Sequence, residues 1–78
     1  MKIAIENLSS RTTAEHLAKL FKPFGRPQSI SVMKADQEGR SACYGIVWLD
    51  KLAGLMAINM LNDFLFMDHY INVHEASV

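Results

Sequence analysis

The sequence predicts an α+β sandwich, in which a four-stranded antiparallel sheet carries two helices on one face. Two observations predict it. Four short stretches alternate apolar and polar residues with period two, the signature of a strand buried on one side. Two further stretches repeat apolar residues at three- and four-residue steps, the signature of an amphipathic helix. Along the chain they run strand, helix, strand, strand, helix, strand.

The first strand is read over residues 2–6, with Ile3 and Ile5 opposite Lys2, Ala4 and Glu6. A polar exit loop, Asn7-Leu8-Ser9-Ser10-Arg11, follows. Thr13 is placed to cap the first helix, with Glu15 favourable in its first turn. Leu17, Leu20, Phe21 and Phe24 form its apolar stripe, and Pro23, Gly25 and Pro27 stop it.

The second strand spans residues 28–34, with Ile30 and Val32 opposite Ser29, Ser31 and Met33. Residues Ala35 to Ser41 read as a polar loop with a turn glycine. The third strand spans residues 42–49. Tyr44, Ile46 and Trp48 share one face, and Cys43, Gly45, Val47 and Leu49 the other. Asp50 is placed to cap the second helix, whose core stripe is Gly54, Ala57, Ile58 and Leu61. Asn62-Asp63 ends it, and residues 70–75 alternate as the last strand.

Two βαβ-like halves sharing one sheet make the ferredoxin-like sandwich. Gly54 and Ala57 suggest that helix two lies close to the sheet, with Gly45 giving it room. The 78 residues suffice for one domain. A chain of this length buries only ~60% of its unfolded surface, which leaves little room for a cofactor cavity; no cofactor is expected.

Half of the residues are hydrophobic and 21% are charged, a globular composition. No apolar run is long enough to cross a bilayer, so no membrane partner is expected. The N-terminus meets Glu6 too early for a secretion signal. The single cysteine, Cys43, has no internal disulfide partner. Both features lead to the expectation of a cytoplasmic protein. The formal net charge is zero, which argues against an undirected grip on nucleic acid.

Topology alone does not choose a function. Metal binding through Cys-x-x-Cys is excluded by the single cysteine. Acyl-phosphate hydrolysis needs a glycine-rich loop after strand one, and Asn7-Leu8-Ser9-Ser10-Arg11 has no glycine. Amino-acid-sensing domains share the topology, but no pattern here marks their ligand loop. His16, His69 and His74 lie on helix, loop and strand with no metal-ligand spacing. Cys43 reads as a small core residue, with no histidine assignable as its base. Nothing in the chain points to an enzyme.

Five segments in order resemble the RNA-recognition-motif family. Ile3-Ala4-Ile5-Glu6-Asn7-Leu8 is similar to its short signature, apolar–aromatic–apolar–x–Asn–Leu. Ala42-Cys43-Tyr44-Gly45-Ile46-Val47-Trp48-Leu49 is similar to its long signature. Leu17 to Gly25, Ala57 to Asn62 and Ile71 to Ala76 resemble its first helix, second helix and last strand. The resemblance implies that the open sheet face binds single-stranded RNA.

Three positions depart from the family pattern. Where the family stacks bases, this chain has Ala4 and Ile46, and Ala42 replaces the basic residue that opens the long motif. Each aromatic stack is worth ~1–3 kcal/mol. Two lost stacks forfeit ~2–6 kcal/mol, or roughly 30-fold to more than 10⁴-fold in affinity, so weak binding is expected. Trp48 shares the strand parity of Tyr44 and adds a large aromatic surface. The expected contacts are Tyr44 and Trp48 for bases, Lys2, Lys34 and Arg40 for phosphates, and Asn72 and His74 for base edges. Ala4 and Ile46 complete the floor.

A second reading remains open. Tyr, Trp and Met are enriched at protein contacts, and the sheet face would serve one. Helix two also carries Leu52, Leu55, Met56 and Met60 outside its core stripe, with Phe64-Leu65-Phe66-Met67 directly after it. These residues either tuck under a loop or form a patch for a protein partner or a second copy of the chain.

Overall fold

A computed structural model describes residues 1–37 and 40–76, with the side chains of residues 35–37 and 40–42 outside that description. The main sheet has four antiparallel strands, β1 (Lys2–Leu8), β2 (Ser29–Gln37), β3 (Arg40–Trp48) and β6 (Asn72–Glu75), in the spatial order β2-β3-β1-β6. Helices α1 (Ala14–Phe21) and α2 (Lys51–Leu61) cover one face. A two-stranded ribbon, β4 (Leu65–Phe66) and β5 (His69–Tyr70), precedes β6. The predicted ferredoxin-like sandwich is the fold observed.

The core forms where the inward faces meet. Ile3 and Ile5 of β1, Val47 of β3, Leu17 and Phe21 of α1, Ala57 of α2, and Ile71 are completely buried. Each large side chain withdrawn from water contributes about 1.5–3 kcal/mol.

Strand β1 runs two residues beyond its predicted end. Ile5 lies opposite Gly45, yet Leu8 lies opposite Cys43, so β1 carries one extra residue between them. This bulge is made at Asn7, whose φ is +63°, a left-handed conformation that asparagine tolerates. It turns Leu8 back to the core, where it is buried. Residues 7 and 8, expected as exit loop, are therefore strand.

Thr13 caps α1 as expected. Its hydroxyl accepts from the His16 amide at 3.2 Å, and the His16 imidazole accepts from the Thr13 amide at 3.0 Å. This is a reciprocal capping box with histidine in the place usually held by Glu or Gln. The α-helix ends at Phe21, and Pro23 belongs to a single 3₁₀ turn over Lys22–Phe24. That turn keeps Phe24 against the core, its ring edge-on to Phe21 at 6.5 Å.

Strands β2 and β3 are also longer than expected, with Gln37 opposite Arg40. Part of the polar stretch read as a loop is a hairpin arm. Asp50 stands at the N-cap of α2, but its side chain makes no cap bond and instead accepts from Gln28 at 3.5 Å. Gly45 makes room for Leu17 of α1 rather than for α2: an added Cβ there would sit 2.7 Å from Leu17 Cδ1. Gly54 brings α2 onto Met1 and Ile3. The predicted last strand divides, with Tyr70 pairing Leu65 in the ribbon and Asn72–Glu75 joining the main sheet.

Candidate nucleic-acid interface

Because side chains alternate across a strand, cross-strand partners share a face. The register therefore lays out the open face in rows. Ser29, Trp48 and Lys2 form the first row, and Ser31, Ile46, Ala4 and His74 the second. Met33 and Tyr44 lie beyond them on one side, and Glu6 and Asn72 on the other.

Trp48 is 42% exposed and Tyr44 37% exposed. They are four residues apart on one strand, so their rings rise from points roughly 13 Å apart. Ile46 and Ala4, both half-buried, form a low apolar floor between the flanking groups. Two aromatic plates at that separation can each stack a separate planar ring. Of the predicted contacts, Lys2, Ala4, Tyr44, Ile46, Trp48, Asn72 and His74 all fall on this face.

Lys34 does not. It lies opposite Cys43, whose side chain is buried under the helices, so its parity belongs to the helix side. Ile30 and Val32 already carried that parity, and the expected phosphate contact through Lys34 is corrected accordingly. The Arg40 side chain lies outside the described residues. Burial pushes the Cys43 thiol up, with the Lys34 charge pulling weakly the other way, which suits an inert core thiol.

Glu6 was not expected at the site. Its carboxylate accepts from His74 Nε2 at 2.6 Å, with both side chains more than half exposed. This hydrogen bond raises the His74 pKa above its ordinary value, and the Glu75 carbonyl, 3.1 Å from Nδ1, adds to the effect. Glu6 is the one acidic side chain on the open face among the described residues. Its parity with Lys2 and Ala4 was readable, but its partner depends on the register of β1 with β6.

Asn7 was likewise missed as a fixing residue. Its Nδ2 donates to the Tyr70 carbonyl at 2.9 Å, tying the bulge to the ribbon. Leu52, Leu55, Met56 and Met60 are all exposed on α2, away from this sheet face. Among the described residues there is no group of side chains able to hold a metal ion, and no helix is long and apolar enough to cross a membrane.

Comparison with known proteins matches this geometry. The family model of the RNA recognition motif matches residues 3–72. The RNA-binding protein PG1 superposes with a TM-score of 0.84 and 32% identity, over 97% of this chain and 93% of that one. The first two RNA-recognition domains of the yeast poly(U)-binding protein Pub1 give a TM-score of 0.88 at 18% identity, over 100% of this chain and 47% of that one. The Rna15 domain with bound GU RNA gives 0.82 at 19% identity, over 99% of this chain and 83% of that one. At such identities the last two show the fold alone. From the family match over residues 3–72, the chain belongs to the RNA recognition motif family.

Proposed function

We propose that this domain binds single-stranded RNA across the open sheet face, as a binding module rather than a catalyst. The observation that carries the reading is the pair of exposed aromatics, Tyr44 and Trp48, on the uncovered face of a family member. Trp48 and Tyr44 stack two bases, Lys2 meets a phosphate, and Asn72 bonds a base edge, joined by His74 when it exchanges its bond to Glu6 for one to a base. Binding is weak, because Ala4 and Ile46 offer no ring where the family stacks bases, and the chain has no net charge to add. The solved Rna15 complex carries RNA on the same fold. The lone cysteine suits a reducing, cytoplasmic setting.

The test is an NMR titration with a pool of short random single-stranded RNAs at low salt. Shifts at Tyr44, Ile46, Trp48 and His74 are expected, weakening as salt rises. Their absence at millimolar RNA overturns the reading.

A second reading, self-association through α2, has its own support. That helix is apolar on its outer side as well as its inner one, with Leu52 78% exposed and Met56 58% exposed. A helix apolar all round is ordinarily buried.

A further inference from the structure

The bulge in β1 places a carboxylate beside an aromatic ring. Ile5 lies opposite Gly45 and Leu8 opposite Cys43, so Glu6 and Asn7 together face the single residue Tyr44. Glu6 and Tyr44 both stand on the open face. Neighbouring strands lie about 5 Å apart, so a base laid on the Tyr44 ring extends its edge over β1, toward Glu6. On the other side of Glu6, Asn72 of β6 stands directly opposite it and is exposed. Across the sheet this row therefore runs stacking ring, carboxylate, amide.

The carboxylate is held in place without being covered. Its Oε1 accepts from His74 Nε2 at 2.6 Å, yet the side chain stays 58% exposed. Asn7, next along the chain, is tied to the Tyr70 carbonyl and fixes the backbone of the bulge. Each carboxylate oxygen carries two lone pairs, so both oxygens can accept from a base whether His74 stays on Oε1 or turns to a base itself.

An ionised carboxylate only accepts hydrogen bonds, and the four bases offer it different pairing edges. Guanine presents two donors side by side, N1–H and N2–H, with the O6 acceptor next to them. Adenine and cytosine each present one amino donor beside a ring nitrogen whose lone pair repels a carboxylate. Uracil presents one N3–H between two carbonyl oxygens. Guanine alone satisfies both carboxylate oxygens, and its O6 suits the N–H of a neighbouring amide.

We propose that Glu6 makes this domain selective for guanine: a guanine stacked on Tyr44 donates N1–H and N2–H to the Glu6 carboxylate and accepts from the Asn72 amide on O6. The inference rests on the RNA reading of the sheet face and adds which base that face prefers.

The test measures the whole domain at low salt, by fluorescence anisotropy and NMR, against five-nucleotide oligouridines whose central base is guanine, adenine, cytosine, uracil or inosine. The guanine oligomer should bind roughly 5- to 150-fold more tightly than the adenine, cytosine and uracil ones. Inosine lacks the N2 amino group and should fall between. In Glu6→Gln most of the guanine advantage should disappear, because the amide sets an N–H against guanine N1–H. If Glu6 only braces β1 to β6, the substitution leaves the ratios of the affinities unchanged. Shifts at Tyr44 and Trp48 with equal affinities, a preference for another base, inosine binding as tightly as guanine, or an unaltered preference in Glu6→Gln each overturn the proposal while RNA binding at the sheet stands. No shift at Tyr44 or Trp48 with any oligomer at millimolar concentration overturns the RNA reading, and this proposal with it.

Discussion

The imidazole of His74 and the carboxylate of Glu6 meet at 2.6 Å on the open sheet face, joining β6 to β1 beside Ala4. The contact raises the His74 pKa above its ordinary value of 6.5, first through the Glu6 hydrogen bond and then through the Glu75 carbonyl. A raised histidine stabilises the fold fully below its unfolded pKa of about 6.5 and loses that contribution as pH rises through the folded value. Glu6→Gln should return the NMR titration midpoint of His74 toward its ordinary value. Once His74 is neutral, the Glu6 charge stands uncompensated toward phosphates. RNA affinity should therefore fall as pH rises through that midpoint, and should do so much less in Glu6→Gln.

Trp48 contributes area to the open sheet face while remaining 42% exposed. Trp48→Ala should weaken RNA binding roughly 5- to 150-fold while shifting the thermal midpoint little. The converse substitution, Ile46→Phe, supplies a ring beside Ala4 and should tighten binding. Fluorescence anisotropy with a labelled oligonucleotide reads both.

Gly45 and Gly54 should respond unequally to alanine. A Cβ on Gly45 meets the fully buried Leu17 at 2.7 Å, with Leu8 and the Ser31 carbonyl also close. Overpacking of that kind costs about 1–3 kcal/mol. A Cβ on Gly54 meets chiefly the flexible Met1 side chain, and alanine gains about 1 kcal/mol of helix propensity over glycine. Gly54→Ala should be near neutral in urea unfolding.

Asn7 holds the β1 bulge by its φ of +63° and its bond to the Tyr70 carbonyl. Asn7→Ala should lose about 1–3 kcal/mol, and Asn7→Gly less, because glycine keeps the backbone conformation and forfeits only the bond. Differential scanning calorimetry separates the two.

Met56→Glu places a charge in the middle of the exposed α2 stripe. If that stripe pairs two copies of the chain, the mass measured by light scattering should fall from dimer to monomer. An unchanged mass retires self-association through α2.

What could be read in advance follows the burial. Ile3 and Ile5, Ile30 and Val32, and Val47 alternate because one side of each strand faces the core, so their strands and the open face were legible. The arm of the β2–β3 hairpin beyond Lys34 carries Asp36 and Gln37, with no apolar alternation, and read as loop. The bulge at Asn7 and the Glu6–His74 pair depend on register between residues far apart in the chain. The Met67–Asp68 turn was hidden because methionine stands where such turns ordinarily take Asn, Asp or Gly. Lys34 was assigned to the wrong face although its parity with Val32 was visible.

Strand β1 lies inside the sheet, between β3 and β6, and its pairing with β6 joins residues 3–6 to residues 72–75. Few contacts in a chain this size are more distant in sequence, and distant pairings are slow to close. On the ribosome, β1, β2, β3 and both exposed aromatics of the open face emerge long before β6. Until residue 75 clears the exit tunnel, one edge of β1 has no strand beside it, the core lacks Ile71 and Val73, and His74 has not reached Glu6. The open face is thus completed only when β6 is made, so a product truncated or stalled before it keeps Tyr44 and Trp48 without the sheet that aims them.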